Sequence, residues 1–258
     1  MRKIKPLILT GAIAFSSLFT INSVAQAEEK YVPLTEQNYK QIEAKTQNTK
    51  EYYKYVKGEL KKLDVADKKI NNLINKLEKG QKWDSLNPSM KGQATKVKID
   101  NNTTKYEYPD GSVYVESLDT SDAKKEVVKS NTANNKGYSA QATIGGGSTS
   151  GGSGYQIVKG AKVTGSVILA GASYKVDYQL INGGYDKLSR MYDRNVTVPG
   201  SGGNYEIESW GVKKGTENAG GKAYGTLRFK AQNGSLGSST LYLNTYVGKD
   251  KASVSSNM

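Results

Sequence analysis

The chain has 258 residues, a formal net charge of +13, no cysteine and no histidine. Without these two residue types it cannot build a Ser-His-Asp triad, a Cys-His dyad or a zinc site made of His and Cys ligands. An enzyme made from this sequence would have to use paired carboxylates, a Ser-Lys pair, a tyrosine or calcium held by oxygen atoms. We therefore expect a protein that is not an enzyme and that uses no cofactor and no metal.

The first 27 residues have the pattern of a cleavable secretory signal peptide. A basic start precedes the apolar or small residues 7–21, and Ala25-Gln26-Ala27 supplies the small-x-small pattern that signal peptidase recognises. The apolar run of about 15 residues is shorter than the about 20 that a membrane-spanning helix needs, so an uncleaved anchor is the weaker alternative. We predict cleavage before Glu28, an extracellular location, and no transmembrane segment in the mature chain.

The positive charge lies mainly in the second half of the predicted mature chain. Residues 28–130 hold 20 basic and 17 acidic side chains, whereas residues 131–258 hold 14 basic and 7 acidic ones. A cysteine-free, Lys-rich exported chain is typical of Gram-positive bacteria. Outside such a cell, a basic surface attracts anionic wall polymers and lipid headgroups at long range, although the same charge also favours solubility. Because the signal peptide directs the chain out of the cell, we expect no nucleic-acid partner.

Residues 28–92 are predicted to be a helical region. Apolar residues and threonines recur there at steps of three and four, which favours a helical hairpin or one long helix broken near Asp64. Asp64 is a candidate N-cap of the second helix, and Gly80 is a candidate stop after it. The pattern consists of Tyr39, Ile42, Thr46, Thr49, Tyr53, Val56, Leu60 and Leu63, followed by Ile70, Leu73, Ile74 and Leu77.

Two shorter segments follow the helical region. Residues 93–118 are predicted to be a β-hairpin element with its turn at Pro109-Asp110-Gly111, and a lone hairpin needs a neighbour to be stable. Residues 119–154 are predicted to be a linker. Its first, polar part is typical of linker or of a short frayed helix, and its Gly/Ser-rich part is typical of flexible loop or an edge strand. It lacks the glycine spacing of a phosphate-binding loop.

Residues 155–258 predict a basic antiparallel β-sandwich of about seven strands, which makes the fold class α+β. Apolar and polar residues alternate in short segments, and Gly-rich turns such as Asn182-Gly183-Gly184 and Asn233-Gly234 separate them. The predicted strands are Tyr155–Val158, Ala161–Val167, Ala172–Ile181, Leu188–Val198, Tyr205–Val212, Ala223–Ala231 and Ser239–Val247.

One set of strings lies in the predicted β domain, at residues 160–163, 172–178, 182–188, 191–192, 223–229, 239–243 and 246–248, and a second set precedes it, at residues 79–80, 83–84, 87–88 and 108–112. Over roughly 70–250, these strings resemble small secreted Gram-positive proteins that end in a β domain of unknown function. The resemblance implies the fold and an extracellular location, but no activity and no site residues.

The densest cluster of polar and aromatic residues in the sequence surrounds residues 185–194. An active-site interpretation makes an aspartate the base or nucleophile and an arginine the partner of the substrate. We favour Asp–Arg pairing across a turn with tyrosines packed at the sheet edge, because a glycosidase needs two carboxylates about 5–10 Å apart across a cleft. The candidate ligand-binding residues in this cluster are Tyr185, Asp186, Arg190, Tyr192 and Arg194.

Among the aromatic residues, Trp210 is the first candidate for stacking on a sugar ring. Lys213 and Lys214 follow it and add a basic spot. Alternating aromatic residues on strands more often pack in the core or at a sheet edge.

The sequence therefore favours a secreted, non-catalytic protein whose basic β-sandwich binds an envelope component or another protein. The envelope candidates are an anionic wall polymer, a glycan and a membrane surface. Two alternatives stay open, namely a hydrolase that uses carboxylates alone and a bacteriocin-like toxin whose Gly-rich segment 144–154 seeks membranes. The sequence does not specify an oligomeric state.

Overall fold

The computed structural model describes residues 49–129, 142–144, 154–234 and 237–258, and all of them belong to one compact unit. Three predictions concern segments outside these ranges: the signal peptide with Ala25, Ala27 and Glu28, the helical pattern before Thr49, and most of the Gly-rich segment.

Antiparallel strands make up most of the described chain, which is mostly β with few helices. Strands β1–β8 form a larger sheet and β9–β12 form a smaller sheet of four strands in the order β12-β11-β10-β9. The helices are α1 (Thr49–Lys62) and α2 (Asp67–Glu78), with short 3₁₀ turns at Asp84–Leu86 and Pro88–Gln93. The strands are β1 (Thr95–Lys98), β2 (Thr103–Glu107), β3 (Val113–Asp119), β4 (Lys124–Lys129), β5 (Ala142–Ile144), β6 (Gly154–Ser166), β7 (Gly171–Ile181), β8 (Lys187–Thr197), β9 (Asn204–Lys214), β10 (Ala223–Asn233), β11 (Gly237–Val247) and β12 (Ala252–Ser256).

The two helices are separated at the predicted break. Asp64 adopts a φ of 59°, which a helix interior does not allow. The predicted cap is wrong, because Ala66 precedes α2 and provides no side-chain hydrogen bond. Gly80 ends α2 as predicted, at a φ of 65° with its N–H donating to Leu77 O at 3.0 Å. The predicted apolar positions from Val56 onward are buried in the core.

The predicted hairpin is part of the larger sheet. Strands β2 and β3 pair as expected, β1 adds a third strand, and β3 pairs with β6. Lys105 is buried on β2 and donates to Leu63 O at 2.9 Å, which joins the hairpin to the end of α1. The hairpin thus gains neighbours on both sides.

The prediction that residues 119–154 are only linker is wrong in part. Lys124–Lys129 forms β4, which pairs with β6 along six residues, whereas its polar composition favours linker or a frayed helix. Ala142–Ile144 pairs with β4, in agreement with the edge-strand alternative. The backbone of β6 supplies hydrogen-bonding partners that the local sequence does not reveal.

Strand β6 combines two segments that the sequence predicts to be separate. Gly160 lies between them at a φ of 82°, and the pairing with β7 shifts register there. This is a β-bulge, which glycine allows at little cost. The last strand, β12, is absent from the prediction, because its residues Ala252–Ser256 are small and weakly alternating.

The two sheets face each other across a shared core. Tyr174 of β7 is buried, and its hydroxyl donates to Leu243 O of β11 at 3.2 Å. A Cβ at Gly165 of β6 would collide with Leu243 and Met258, so glycine allows the close approach of the sheets here. In the smaller sheet, buried residues alternate with residues on the opposite face, which leaves one face of that sheet directed outward.

Candidate functional site

Three tyrosines lie on the outward face of the smaller sheet. Tyr224 of β10 is 38% exposed and its ring stacks on that of Tyr246 of β11, with centroids 6.0 Å apart. Tyr242 is half-buried on the same face, four residues along β11 from Tyr246. We call this surface the tyrosine face and define it by Tyr224, Tyr242 and Tyr246 together with the outward residues between them, Thr226, Arg228 and Asn244.

The strand register arranges the tyrosine face in rows that cross the sheet. Tyr224 is opposite Tyr246 in one row, and Arg228 is opposite Tyr242 in another. The two rows lie four residues apart along each strand, which is about 14 Å at about 3.4 Å per residue. The row between them consists of the smaller side chains Gly211, Thr226, Asn244 and Ser255.

Three cations around the tyrosine face donate hydrogen bonds within the protein itself. Arg228 Nε donates to Glu208 Oε2 at 2.7 Å. Lys214 Nζ donates to Asn218 Oδ1 at 2.7 Å. Lys91 Nζ donates to Tyr242 Oη at 3.1 Å and lies 5.5 Å from the centroid of that ring. The face therefore presents aromatic rings, hydroxyls and an amide; Arg228 is paired with a carboxylate, whereas Lys91 and Lys214 bond to neutral groups and keep their charge.

Asn244 occupies the centre of this face. Its Nδ2 donates to Tyr246 Oη at 3.3 Å. Its Oδ1 lies below the surface and has no hydrogen-bond partner among the described residues. An unsatisfied buried acceptor is costly, and such atoms in native proteins call for an explanation.

Two predicted ligand residues, Arg190 and Tyr192, contact a different aspartate from those in the predicted cluster. Arg190 Nε donates to Asp177 Oδ2 at 3.0 Å, and Tyr192 Oη donates to Asp177 Oδ1 at 3.1 Å. The guanidinium of Arg190 also lies 4.1 Å from the Tyr192 ring centroid. Asp193 instead pairs with Lys175 at 2.8 Å. These are contacts between neighbouring strands β7 and β8, which adjacency in sequence does not reveal.

Asp186, a predicted ligand candidate, is fully buried where three turns meet. Its carboxylate accepts from Ile181 N at 2.7 Å and from Asp250 N at 2.8 Å, and its own N–H donates to Glu217 at 3.3 Å. Burial raises the pKa of Asp186, and the nearby carboxylates of Asp250 and Glu217 raise it further. The structure thus gives Asp186 backbone partners, while its neighbour Tyr185 is 56% exposed in the same turn.

Trp210 does not present an open ring face. It is half-buried on β9 opposite Leu227, and its ring contacts Tyr174 edge-on with centroids 5.5 Å apart. The guanidinium of Arg194 covers it at 5.3 Å from the ring centroid. Of the two lysines that follow, Lys213 donates to Trp210 O at 3.4 Å.

The carboxylates that a hydrolase would need are spread over several elements, and only Glu206 and Glu208 share one strand. Asp177 and Asp193 are on the larger sheet, Asp186 is in the β7–β8 turn, and Glu206 and Glu208 are on β9 of the smaller sheet. Within the described ranges, no group of three or more acidic side chains is placed to hold a metal ion.

One buried carboxylate was not recognised in the sequence. Glu116 of β3 is 9% exposed, and its two oxygens accept from Tyr106 Oη at 2.8 Å and Tyr114 Oη at 2.7 Å. Burial raises the pKa of Glu116, although both tyrosine hydrogen bonds act in the opposite direction. The alternation of Tyr114 with Glu116 is the sequence signal that places them on one face.

The residues that carry part of the family resemblance come together in the structure. Asp110 of the β2–β3 turn accepts from Lys76 Nζ of α2 at 2.7 Å and from Asp84 N at 2.9 Å. Trp83 is fully buried and donates to Leu73 O at 3.0 Å. These contacts join α2, the 3₁₀ turn and the hairpin, so the strings have a structural role here.

In the part of the chain that the structure describes, no helix is long and apolar enough to cross a membrane. Comparisons with models of protein families, with curated proteins and with solved structures found no match to this chain. The resemblance to small secreted Gram-positive proteins, the extracellular location and the choice of partner therefore stay predictions.

Proposed function

We propose that this is an exported, non-catalytic protein whose tyrosine face binds the glycan of a bacterial cell envelope. The observation that carries the proposal is the stacked, outward-facing pair Tyr224–Tyr246 on the smaller sheet. Tyrosine rings offer a flat apolar surface to the C–H faces of sugars, and their hydroxyls offer hydrogen bonds at the edge. The predicted signal peptide supports an envelope target.

We make two further proposals, on the fold of the chain and on the group of proteins to which it belongs. We propose that residues 155–258 with the β1–β3 strands form a β-sandwich with helices α1 and α2 packed against it. The shared core between the two sheets supports this interpretation. We also propose that the chain belongs with the small secreted Gram-positive proteins that it resembles.

Two observations favour glycan over an anionic polymer as the target. The cations next to the tyrosines are engaged by Glu208, Asn218 and Tyr242. On the larger sheet, Lys175 and Arg190 are paired with Asp193 and Asp177. Of these cations, Arg228, Lys175 and Arg190 are paired with carboxylates, and such pairs contribute little to recruiting a polyanion beyond long-range attraction, which salt screens.

The experiment is retention of the chain lacking residues 1–27 on purified Gram-positive cell walls, measured by co-sedimentation. We expect retention of the wild type and a clear loss in Tyr224→Ala. Tyr185→Ala is the matched control, because Tyr185 is an exposed tyrosine in the β7–β8 turn and is not one of the residues that define this face. Walls that fail to retain the protein, or retain Tyr224→Ala as well as the wild type, would refute the proposal.

The two rival functions have direct tests of their own. A bacteriocin-like toxin would release dye from anionic liposomes, whereas we expect none. A carboxylate hydrolase would release reducing sugar from the walls during the same incubation, and we expect none of that either.

A further inference from the structure

The middle row of the tyrosine face forms a shallow trough across the smaller sheet. Its floor consists of the small side chains of Gly211, Thr226, Asn244 and Ser255, which the register places side by side. A Cβ at Gly211 would meet nothing within 4 Å, so the described residues leave this end of the trough uncovered.

Larger side chains flank the floor on both sides. The stacked rings of Tyr224 and Tyr246 form one wall, and Tyr242 with Arg228 forms the other. These walls stand on β10 and β11, while the floor spans four strands that lie about 4.8 Å apart, which gives the floor a length of about 14 Å, about that of a two- or three-sugar segment. Both walls run across the strands. A linear ligand that contacts both walls along its length therefore also lies across the strands.

The polar groups of the trough specify an uncharged ligand. The floor contains hydroxyls and an amide and no ionisable side chain. The guanidinium in one wall is paired with Glu208 at 2.7 Å, and a second hydrogen bond from Thr240 holds that carboxylate. A polyanion would have to displace these bonds, whereas a neutral sugar chain would not.

Asn244 provides a hydrogen-bond donor at the centre of the trough. Its Nδ2 donates to Tyr246 Oη at 3.3 Å, and because an amide nitrogen carries two hydrogens, the second can be donated to a sugar hydroxyl. The buried Oδ1 faces away from the ligand and takes no part in this contact.

We infer that this trough binds a single uncharged glycan chain, laid across strands β9–β12 between the two walls, with Asn244 bonding a sugar hydroxyl. The inference rests on the proposed function and names the ligand chemistry and direction for the same face. A chain that ran along the strands would contact Gln232 and Ser238 at the far end of β10 and β11, which the trough does not include.

The test compares intact walls with walls stripped of anionic polymer, at low and high salt. An uncharged glycan predicts that the stripped walls retain the protein and that high salt leaves retention unchanged. Asn244→Ala and Tyr246→Ala are each expected to weaken binding roughly tenfold, which corresponds to one lost stacking or hydrogen-bonding contact. Gln232→Ala is the matched amide control on the same face and is expected to bind like the wild type.

The possible results distinguish the proposed function from the ligand chemistry and direction inferred here. Loss of retention on stripped walls or in high salt, with intact walls still binding through Tyr224, overturns the uncharged ligand and leaves the proposed function standing. Failure of both kinds of wall to bind overturns both proposals. Equal losses in Gln232→Ala and Asn244→Ala overturn the direction across the strands, and unchanged melting temperatures of the variants show that the fold is intact.

Discussion

The substitution Asp110→Asn tests whether the aspartate in the β2–β3 turn holds the helices to the hairpin. The Asp110 side chain is 6% exposed. Oδ2 accepts from Lys76 Nζ at 2.7 Å and Asp84 N at 2.9 Å, and Oδ1 accepts from Ser112 N at 2.8 Å and from its hydroxyl at 2.6 Å. Asparagine preserves the shape and removes the charge.

The expected loss of stability follows from these contacts. An amide can still accept from Ser112, but its NH₂ group then faces two donors, the Lys76 ammonium and the Asp84 N–H. Two hydrogen bonds to a charged acceptor are lost, each worth about 1.5–3 kcal/mol. In the variant, Lys76 Nζ can still donate to Asp84 Oδ1 at 3.3 Å and contact water, so part of the lost stabilisation is recovered. We expect a net loss of about 3 kcal/mol, or about 6–12 °C in melting temperature for a domain of this size.

The pH dependence gives a second readout. Burial by itself raises the pKa of Asp110, but hydrogen bonds from Lys76 and Ser112 outweigh it and hold the pKa below its usual value. A depressed pKa means that the stabilisation is present above the unfolded-state pKa and is lost as the pH falls through the folded-state pKa. The difference in free energy of unfolding between the wild type and Asp110→Asn should therefore be largest near neutral pH and should disappear in strong acid.

The assay is thermal unfolding followed by circular dichroism, with Asp193→Asn as the matched control. Asp193 also pairs with a lysine, Lys175, at 2.8 Å, but its side chain is 58% exposed. Exposed ion pairs contribute little, so this variant should melt like the wild type. Equal losses in both variants, or a wild-type melting temperature in Asp110→Asn, would refute the reasoning from burial.

Two further predictions concern the core. Burial raises the pKa of Glu116, so the folded state binds a proton more tightly than the unfolded state and stability declines as the pH rises from the usual carboxyl pKa to the raised one. Glu116→Gln should flatten this decline in melting temperatures measured from about pH 4 to about pH 7, and an unchanged slope would contradict it. A Cβ at Gly225 of β10 would collide with Met191 Sδ and lie 3.2 Å from both Gly211 O and Leu188 Cδ2, which limits the room for Met191 to move, so Gly225→Ala should cost about 2 kcal/mol in denaturant unfolding. Gly215→Ala has no contact closer than 3.7 Å and should cost less, and equal costs would argue against the collision.

Local patterns were sufficient for much of the fold. Alternation placed Tyr174, Val176 and Tyr178 on the buried face of β7, and Leu241, Leu243 and Val247 on that of β11. The break near Asp64 and the stop at Gly80 were also readable, because backbone conformation there depends on a few neighbouring residues.

The candidate site was less accessible to sequence reasoning. Alternation separates the two faces of each single strand, but only the strand register and the second sheet decide which faces of β9 and β10 are covered. The structure places Trp210 on the inner side against Tyr174 and leaves Tyr224 outward. The rows of the tyrosine face require the register of four strands and the bulges between β9 and β10, which long-range pairing sets.

The sequence by itself determined the residue types available for chemistry and most of the strand-forming segments and turns, because composition and local backbone preference need no partner. Only the tertiary structure decided that the polar segment Lys124–Lys129 is a strand, that Lys105 is buried, and that Asp177 rather than Asp186 pairs with Arg190. Each of these depends on a neighbour distant in sequence, on β6, α1 or the adjacent strand. The physical reason is that hydrogen bonds between strands and packing between layers join residues whose spacing along the chain carries no signal of their contact.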